Sequence, residues 1–150
     1  MQIAVIGSEE ASEELKCTAK EVGRLIAKSG AALLCGGLGG VMEYAALGAR
    51  EAGGQTVGIL PGVNRREANP YIDIAIATGM DHARNVILVR SSDAVIAVGG
   101  GYGTLSEIAL ALKMKKPVVA IKGGWEIDGV MVARDATEAV RLAIERIKSL

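Results

Sequence analysis

The chain has 150 residues, half of them apolar, and carries 17 basic and 17 acidic side chains, so its formal net charge is zero. That length suits one domain over residues 1–150 with one core, and the balanced charge argues against a nucleic-acid binder, which needs a basic face to release counterions from a phosphate backbone. Three Tyr, one Trp and no Phe leave the core to Ala, Val, Ile and Leu, while the 20 glycines are clustered rather than scattered. The opening residues Met1–Ile6 carry no basic n-region, and no stretch approaches the ~20 apolar residues of a spanning helix. The expectation is a soluble, cytoplasmic protein with no membrane partner.

Gln2–Ile6 reads as a first strand, with Gly7 and Ser8 at its end counted among the ligand-contacting positions. A helix at about Glu10–Lys28 buries Leu15, Ala19, Val22 and Ile26 and is ended by Gly30. Ala32–Cys35 predicts the second strand, and Val41–Glu51 the second helix. The two cysteines, Cys17 and Cys35, match no zinc or redox spacing and read as small buried residues of a reducing compartment. A strand at Thr56–Leu60 is followed by the polar loop Pro61–Pro70, a strand at Ile72–Ala77 and a helix at Asp81–Ser91. Ala94–Val98 is short, β-branched and without polar alternation, as a buried strand should be. A helix over Leu105–Lys113, a strand over Val118–Ile121 and a loop at Gly123–Gly129 come next. The last helix, at about Thr137–Lys148, buries Val140, Ile144 and Ile147 behind a capping-box pattern from Asp135 to Glu138. This alternation predicts an α/β, Rossmann-like, doubly wound fold: a mainly parallel sheet of about six to seven strands with helices on both faces.

The segment from Gly99 to Glu107 carries the strongest chemical signal. A buried strand, a glycine turn and a helix N-terminus together form an anion cradle, because glycines let backbone N–H groups approach a ligand and the helix end adds unpaired N–H groups and partial positive charge. The segment Cys35–Ala45 repeats the arrangement: Gly36, Gly37, Gly39, Glu43 and Ala45 match Gly100, Gly101, Gly103, Glu107 and Ala109 at one constant offset. Two such turns at one sheet edge suit two parts of one ligand, or one phosphate held from two sides. Ser106 and Met42 stand where a dinucleotide fingerprint needs its third glycine, and there is neither a P-loop nor a metal-binding constellation. NAD binding and ATP hydrolysis are therefore disfavoured, and no metal is expected.

Glu107 is the candidate catalytic carboxylate, yet Thr104-Leu105-Ser106-Glu107 also reads as a capping box with Thr104 at the N-cap. The spacing favours the cap, and the two roles can coexist. Arg84, about one turn into its helix, is placed to clamp a phosphate or carboxylate, or to pair with Glu107. Met80 lies just ahead of it at the same edge. The single histidine, His82, reads as a solvated side chain, and Tyr102 and Trp125 suit either stacking on a ring or packing against the fold.

These residues carry a family resemblance. Gly100-Gly101-Tyr102-Gly103-Thr104-Leu105-Ser106-Glu107 resembles the PGGxGTxxE motif of the LOG ("lonely guy") cytokinin-activating family. Arg84 lies upstream about where that family carries an Arg-Lys pair, and Gly36–Met42 looks like its first glycine turn. The likeness runs from the first strand to about Val119 and extends to the superfamily that includes the Smf and DprA Rossmann domains. It implies a nucleoside 5′-monophosphate phosphoribohydrolase in which Gly100, Gly101, Gly103 and Thr104 hold the 5′-phosphate. Arg84 and Glu107 then serve the ribose and the departing bond. Gly99 replaces the motif's proline and Asn85 replaces the lysine, and both variants look closer to the molybdenum cofactor carrier branch, which binds a phosphorylated pterin without turnover. The resemblance thus implies binding of a molybdopterin-type cofactor or a nucleoside monophosphate, with the hydrolase as the alternative and a homo-oligomer, dimer or tetramer, as the assembly. Single-stranded DNA binding is weakened by the zero net charge and scarce aromatics. Lysine decarboxylation, a label such sequences have carried, has no Schiff-base lysine with an acidic pyridinium partner to support it.

Overall fold

The computed structural model describes residues 1–124 and 126–150; Trp125, a candidate stacking residue, lies outside them. Its elements are β1 (Gln2–Ile6), α1 (Glu13–Lys28), β2 (Ala32–Cys35), α2 (Val41–Glu51), β3 (Thr56–Leu60), β4 (Ile74–Ala77), α3 (Arg84–Arg90), β5 (Ala94–Val98), α4 (Tyr102–Lys113), β6 (Val118–Ile121), β7 (Val130–Val132) and α5 (Ala136–Lys148). Single 3₁₀ turns at Arg65–Glu67 and Asp81–Ala83 interrupt the connections on either side of β4. The sheet has seven strands in the order β4-β3-β2-β1-β5-β6-β7, and every neighbouring pair is parallel. This is the Rossmann-like α/β architecture the alternation predicted.

Burial on both faces explains why the strands read as continuous apolar runs. Ile3, Val5, Leu33, Ile96 and Val119 pack with Val22, Ile26, Ala45 and Ala143 of α1, α2 and α5. Ala4, Ile6, Leu34, Val95 and Ala97 pack on the opposite face with Leu88, Val89, Ile108 and Ala111 of α3 and α4. Cys35 lies in the first cluster, whereas Cys17 is exposed on α1, which corrects the expectation that both are buried. No helix among the described residues is long and apolar enough to cross a membrane.

The start of α1 departs from the sequence reading because capping outranks periodicity. α1 begins at Glu13 rather than Glu10, since Ser12 caps it by accepting from the Leu15 N–H at 3.2 Å. Asp135 caps α5 by accepting from the Glu138 N–H at 2.9 Å, as the pattern predicted. The edge strand β7, only three residues long, was not read from the sequence because three residues are too few to show a period.

Helices α1 and α2 approach through glycine. A Cβ at Gly23 would lie 1.9 Å from the Ala45 carbonyl oxygen, and one at Gly48 would lie 1.9 Å from that of Lys20. Because the obstacle is backbone, the helices must separate to admit a methyl group. Gly23→Ala is expected to cost at least the ~1–3 kcal/mol of an overpacked core; urea unfolding with an unchanged midpoint would contradict the packing.

Candidate functional site

Crossovers from β1 and β5 leave toward opposite faces of the sheet, so their adjacent C-terminal ends open a crevice, the usual ligand position in such folds. Here a cavity of about 330 Å³ is lined by Gly7, Ser8 and Glu9 after β1 and by Gly101 to Thr104 and Glu107 after β5. Met42 of α2, together with His82, Arg84 and Asn85 around the start of α3, completes it.

The second glycine turn presents open backbone to this cavity. A Cβ at Gly101 or Gly103 would meet nothing within 4 Å. Gly101 is the N-cap of α4 in an extended conformation, with no side chain capping the helix. Among the described residues, the N–H groups of Tyr102, Gly103 and Thr104 have no partner, so the helix end offers its donors and its partial positive charge outward. Tyr102 stands 87% exposed at the mouth. At Gly99, where the LOG motif has proline, φ is +59°, which a proline ring cannot adopt.

This geometry corrects the capping-box expectation. α4 begins at Tyr102, three residues earlier than predicted, which moves Thr104 to the third helical position and Glu107 into the second turn. The first turn buries no apolar side chain, so the helical periodicity that marks a start in sequence is missing there. Thr104 and Glu107 are both buried, at 3% and 7% exposure. Glu107 is not a cap.

The first glycine turn has different surroundings. Gly36, Gly37 and Gly39 are not among the residues lining the cavity. A Cβ at Gly36 would lie 2.6 Å from Arg84 Nη2 and 3.0 Å from Cζ, so the missing side chain makes room for the guanidinium. The Val41 N–H, at the start of α2, donates to the Ser8 carbonyl at 3.1 Å and is thereby spent inside the protein. Asn69, in the Pro61–Pro70 loop, donates from Nδ2 to the Leu38 carbonyl at 2.9 Å and ties that loop to the same turn. The two turns match in sequence, but Gly36 makes room for Arg84 and Val41 bonds to the loop after β1, whereas only Gly39 of the first turn leaves its Cβ position as open as Gly101 and Gly103 do.

Arg84 opens α3 directly after the 3₁₀ turn, rather than one turn into a helix. It is 9% exposed, Nη1 donates to Asn85 Oδ1, and the buried Nε has no partner among the described residues. Arg84 lines the cavity and carries full positive charge and a buried donor without a partner, so it favours an anion there. Glu107 forms no ion pair with it, although the positive charge nearby partly offsets the burial that raises the Glu107 carboxyl to about 7. Burial likewise pushes the Cys35 thiol up to about 12, leaving it an inert core residue.

The structure thus brings together Gly7, Ser8, Arg84, Gly101, Tyr102, Gly103, Thr104 and Glu107. Gly100 stands one residue outside the lining set, its Cα facing Thr104, and Met80 is 45% exposed and does not line the cavity. Sequence reasoning missed Glu9 and Met42 and gave His82 no role. Their common signal was position: each sits within a few residues of a strand C-terminus or helix start at the switch point.

A model of the SLOG cluster4 family matches residues 1–148. The chain belongs to this family. Among solved structures, the molybdenum cofactor binding protein of Rippkaea orientalis is 42% identical with a TM-score of 0.87, the match covering 99% of this chain and 95% of that one. The molybdenum cofactor carrier protein of Chlamydomonas reinhardtii is 38% identical with a TM-score of 0.89 over 99% of both chains. The cytokinin riboside 5′-monophosphate phosphoribohydrolase of Mycobacterium tuberculosis is 38% identical over 127 residues, covering 78% of this chain and 67% of the relative. This SLOG protein therefore has carriers and hydrolases among its relatives.

Proposed function

We propose that the protein binds a phosphorylated small molecule, nucleotide-like or pterin-type, with the phosphate seated at the N-terminus of α4 and facing Arg84. The observation that carries this reading is the meeting, in one cavity, of the open Gly101–Gly103 backbone with a buried guanidinium whose Nε lacks a partner. Helix N–H groups orient an anion and the guanidinium supplies full charge. Similarity to the two molybdenum cofactor proteins over nearly the whole chain favours capture without turnover.

Gly101→Val tests the seat with little effect on the fold. Its Cβ meets nothing within 4 Å and its backbone is extended, so valine is accommodated and projects where the anion must approach. Calorimetry with adenosine 5′-monophosphate should show at least about a tenfold loss of affinity with an unchanged melting temperature. Undiminished binding would refute the placement.

One observation favours the hydrolase as a second reading. Glu107 is free of any capping duty, buried, and lines the cavity beside Arg84. Cleavage of an N-glycosidic bond passes through an oxocarbenium-like state that a carboxylate there would stabilise. Incubation with nucleoside 5′-monophosphates and chromatography for free base separates the readings: a carrier releases none, whereas release that Glu107→Gln abolishes identifies a hydrolase.

A further inference from the structure

A guanidinium taken out of water is ordinarily met by a carboxylate. Arg84 is buried, yet none of the ion pairs among the described residues includes it. Two acidic residues line the same cavity. Glu9 is exposed at the surface. Glu107 is buried, and burial raises its carboxyl to about 7, so below that pH it brings no charge to set against the guanidinium.

What meets Arg84 is an amide. Nη1 donates to Oδ1 of Asn85, the next residue of α3, which is itself 5% exposed and lines the cavity. A guanidinium has donors only, so the atom facing it must be the amide oxygen, and chemistry fixes which way the Asn85 side chain points. Nη2 lies against Gly36, where a Cβ would come within 2.6 Å of it. The guanidinium is thus held by a neutral acceptor and packed against bare backbone, with Nε left unbonded among the described residues. A carboxylate in place of the amide would hold it as well and would also cancel its charge. The amide holds without cancelling.

We propose that Asn85 is the positioning residue of the anion site: its Oδ1 fixes the Arg84 guanidinium at the cavity wall without neutralising it, which leaves the full charge for a phosphate. The proposal rests on the phosphate seat at α4. The helix end supplies the donors of that seat, and Asn85 keeps the one buried cation beside it both still and uncompensated.

Asparagine and aspartate share a shape and differ by one charge, so Asn85→Asp separates holding from neutralising. Titration with inorganic phosphate, followed in nitrogen-15 spectra, gives the affinity from the Gly103 amide and the state of the guanidinium from the Arg84 Nε–H signal. Native protein, Asn85→Asp and Asn85→Ala are compared, with a melting curve for each. The Asp variant is expected to melt no lower than the native protein, because the buried guanidinium gains a counter-ion, yet to bind phosphate about tenfold or more weakly. The Ala variant, which frees the guanidinium, moves the Nε–H signal of the free protein and also loses affinity. A packing role alone makes affinity follow melting temperature in both variants, and does not yield a stable Asp variant that no longer binds. An Asp variant that binds as tightly as the native protein, or an Ala variant with an unchanged Nε–H signal, overturns the proposal and leaves the seat intact. Should the Asp variant fail to fold, the Ala variant decides: unchanged signal or unchanged affinity overturns the proposal. Failure of the native protein to bind phosphate overturns the seat, and the assignment of Asn85 with it.

Discussion

Arg84→Met is expected to abolish capture of phosphorylated ligands while leaving the protein at least as stable as before. The guanidinium is buried, its Nε has no partner among the described residues, and Nη1 bonds to the adjacent Asn85. Within the chain this is a desolvated charge with an unused donor, a combination that costs stability. Methionine keeps the stem as far as the Nε position and removes the charge, giving up the contact that Cζ and Nη2 make beneath Gly36. Against a bound phosphate the balance reverses, because truncating one partner of a buried charge pair costs about 2–5 kcal/mol of binding, or on the order of 100-fold in affinity. Calorimetry with adenosine 5′-monophosphate and urea unfolding of the free protein check the two halves. A variant that loses stability but keeps its affinity would show that Arg84 is structural.

Glu107→Gln is expected to raise the melting temperature at pH 8 and to leave it nearly unchanged at pH 4. Burial raises the Glu107 carboxyl from its ordinary 4.5 to about 7, against the partial opposition of Arg84. Below pH 4.5 the group is protonated in folded and unfolded chains alike. Between 4.5 and 7 only the folded chain keeps the proton, so it binds more protons than the unfolded chain and stability falls as pH rises. The stabilising contribution is therefore complete in acid and lost once pH passes the folded value. A rise of that size corresponds to roughly 3–4 kcal/mol, or on the order of 10 °C in a domain of this length. Glutamine keeps the shape without the ionisation, so its melting temperature should lack that pH dependence. Parallel wild-type and variant curves from pH 4 to 8 would contradict a buried, proton-holding Glu107.

Much of the fold was legible because buried parallel strands advertise themselves. β1, β2, β3, β5 and β6 fall where the apolar runs placed them, since each is packed on both faces and carries no polar interruption. β4 starts at Ile74 rather than Ile72 because Asp73 bonds to Thr56 through both backbone and side chain, turning the chain before the ladder begins. The α4 start was misplaced because Tyr102 and Gly103 pack against nothing, and that error kept Glu107 in the role of a cap. In the site, the open turn at Gly101–Gly103 and the nearby Arg84 followed from motif and spacing. The unequal surroundings of the two glycine turns did not, because matching glycines look the same whether the missing Cβ leaves open space or makes room for a guanidinium.

The central claim is that a phosphate sits on the first N–H groups of α4 with Arg84 facing it. Nitrogen-15 amide spectra recorded during titration with millimolar inorganic phosphate test it directly. The account predicts that the largest shifts fall on Gly101, Tyr102, Gly103 and Thr104 together with the Arg84 Nε–H signal, while Gly36, Gly37 and Gly39 move little. Shifts concentrated on Gly36–Gly39, or an Arg84 signal that stays still while the backbone of α4 responds, would contradict it.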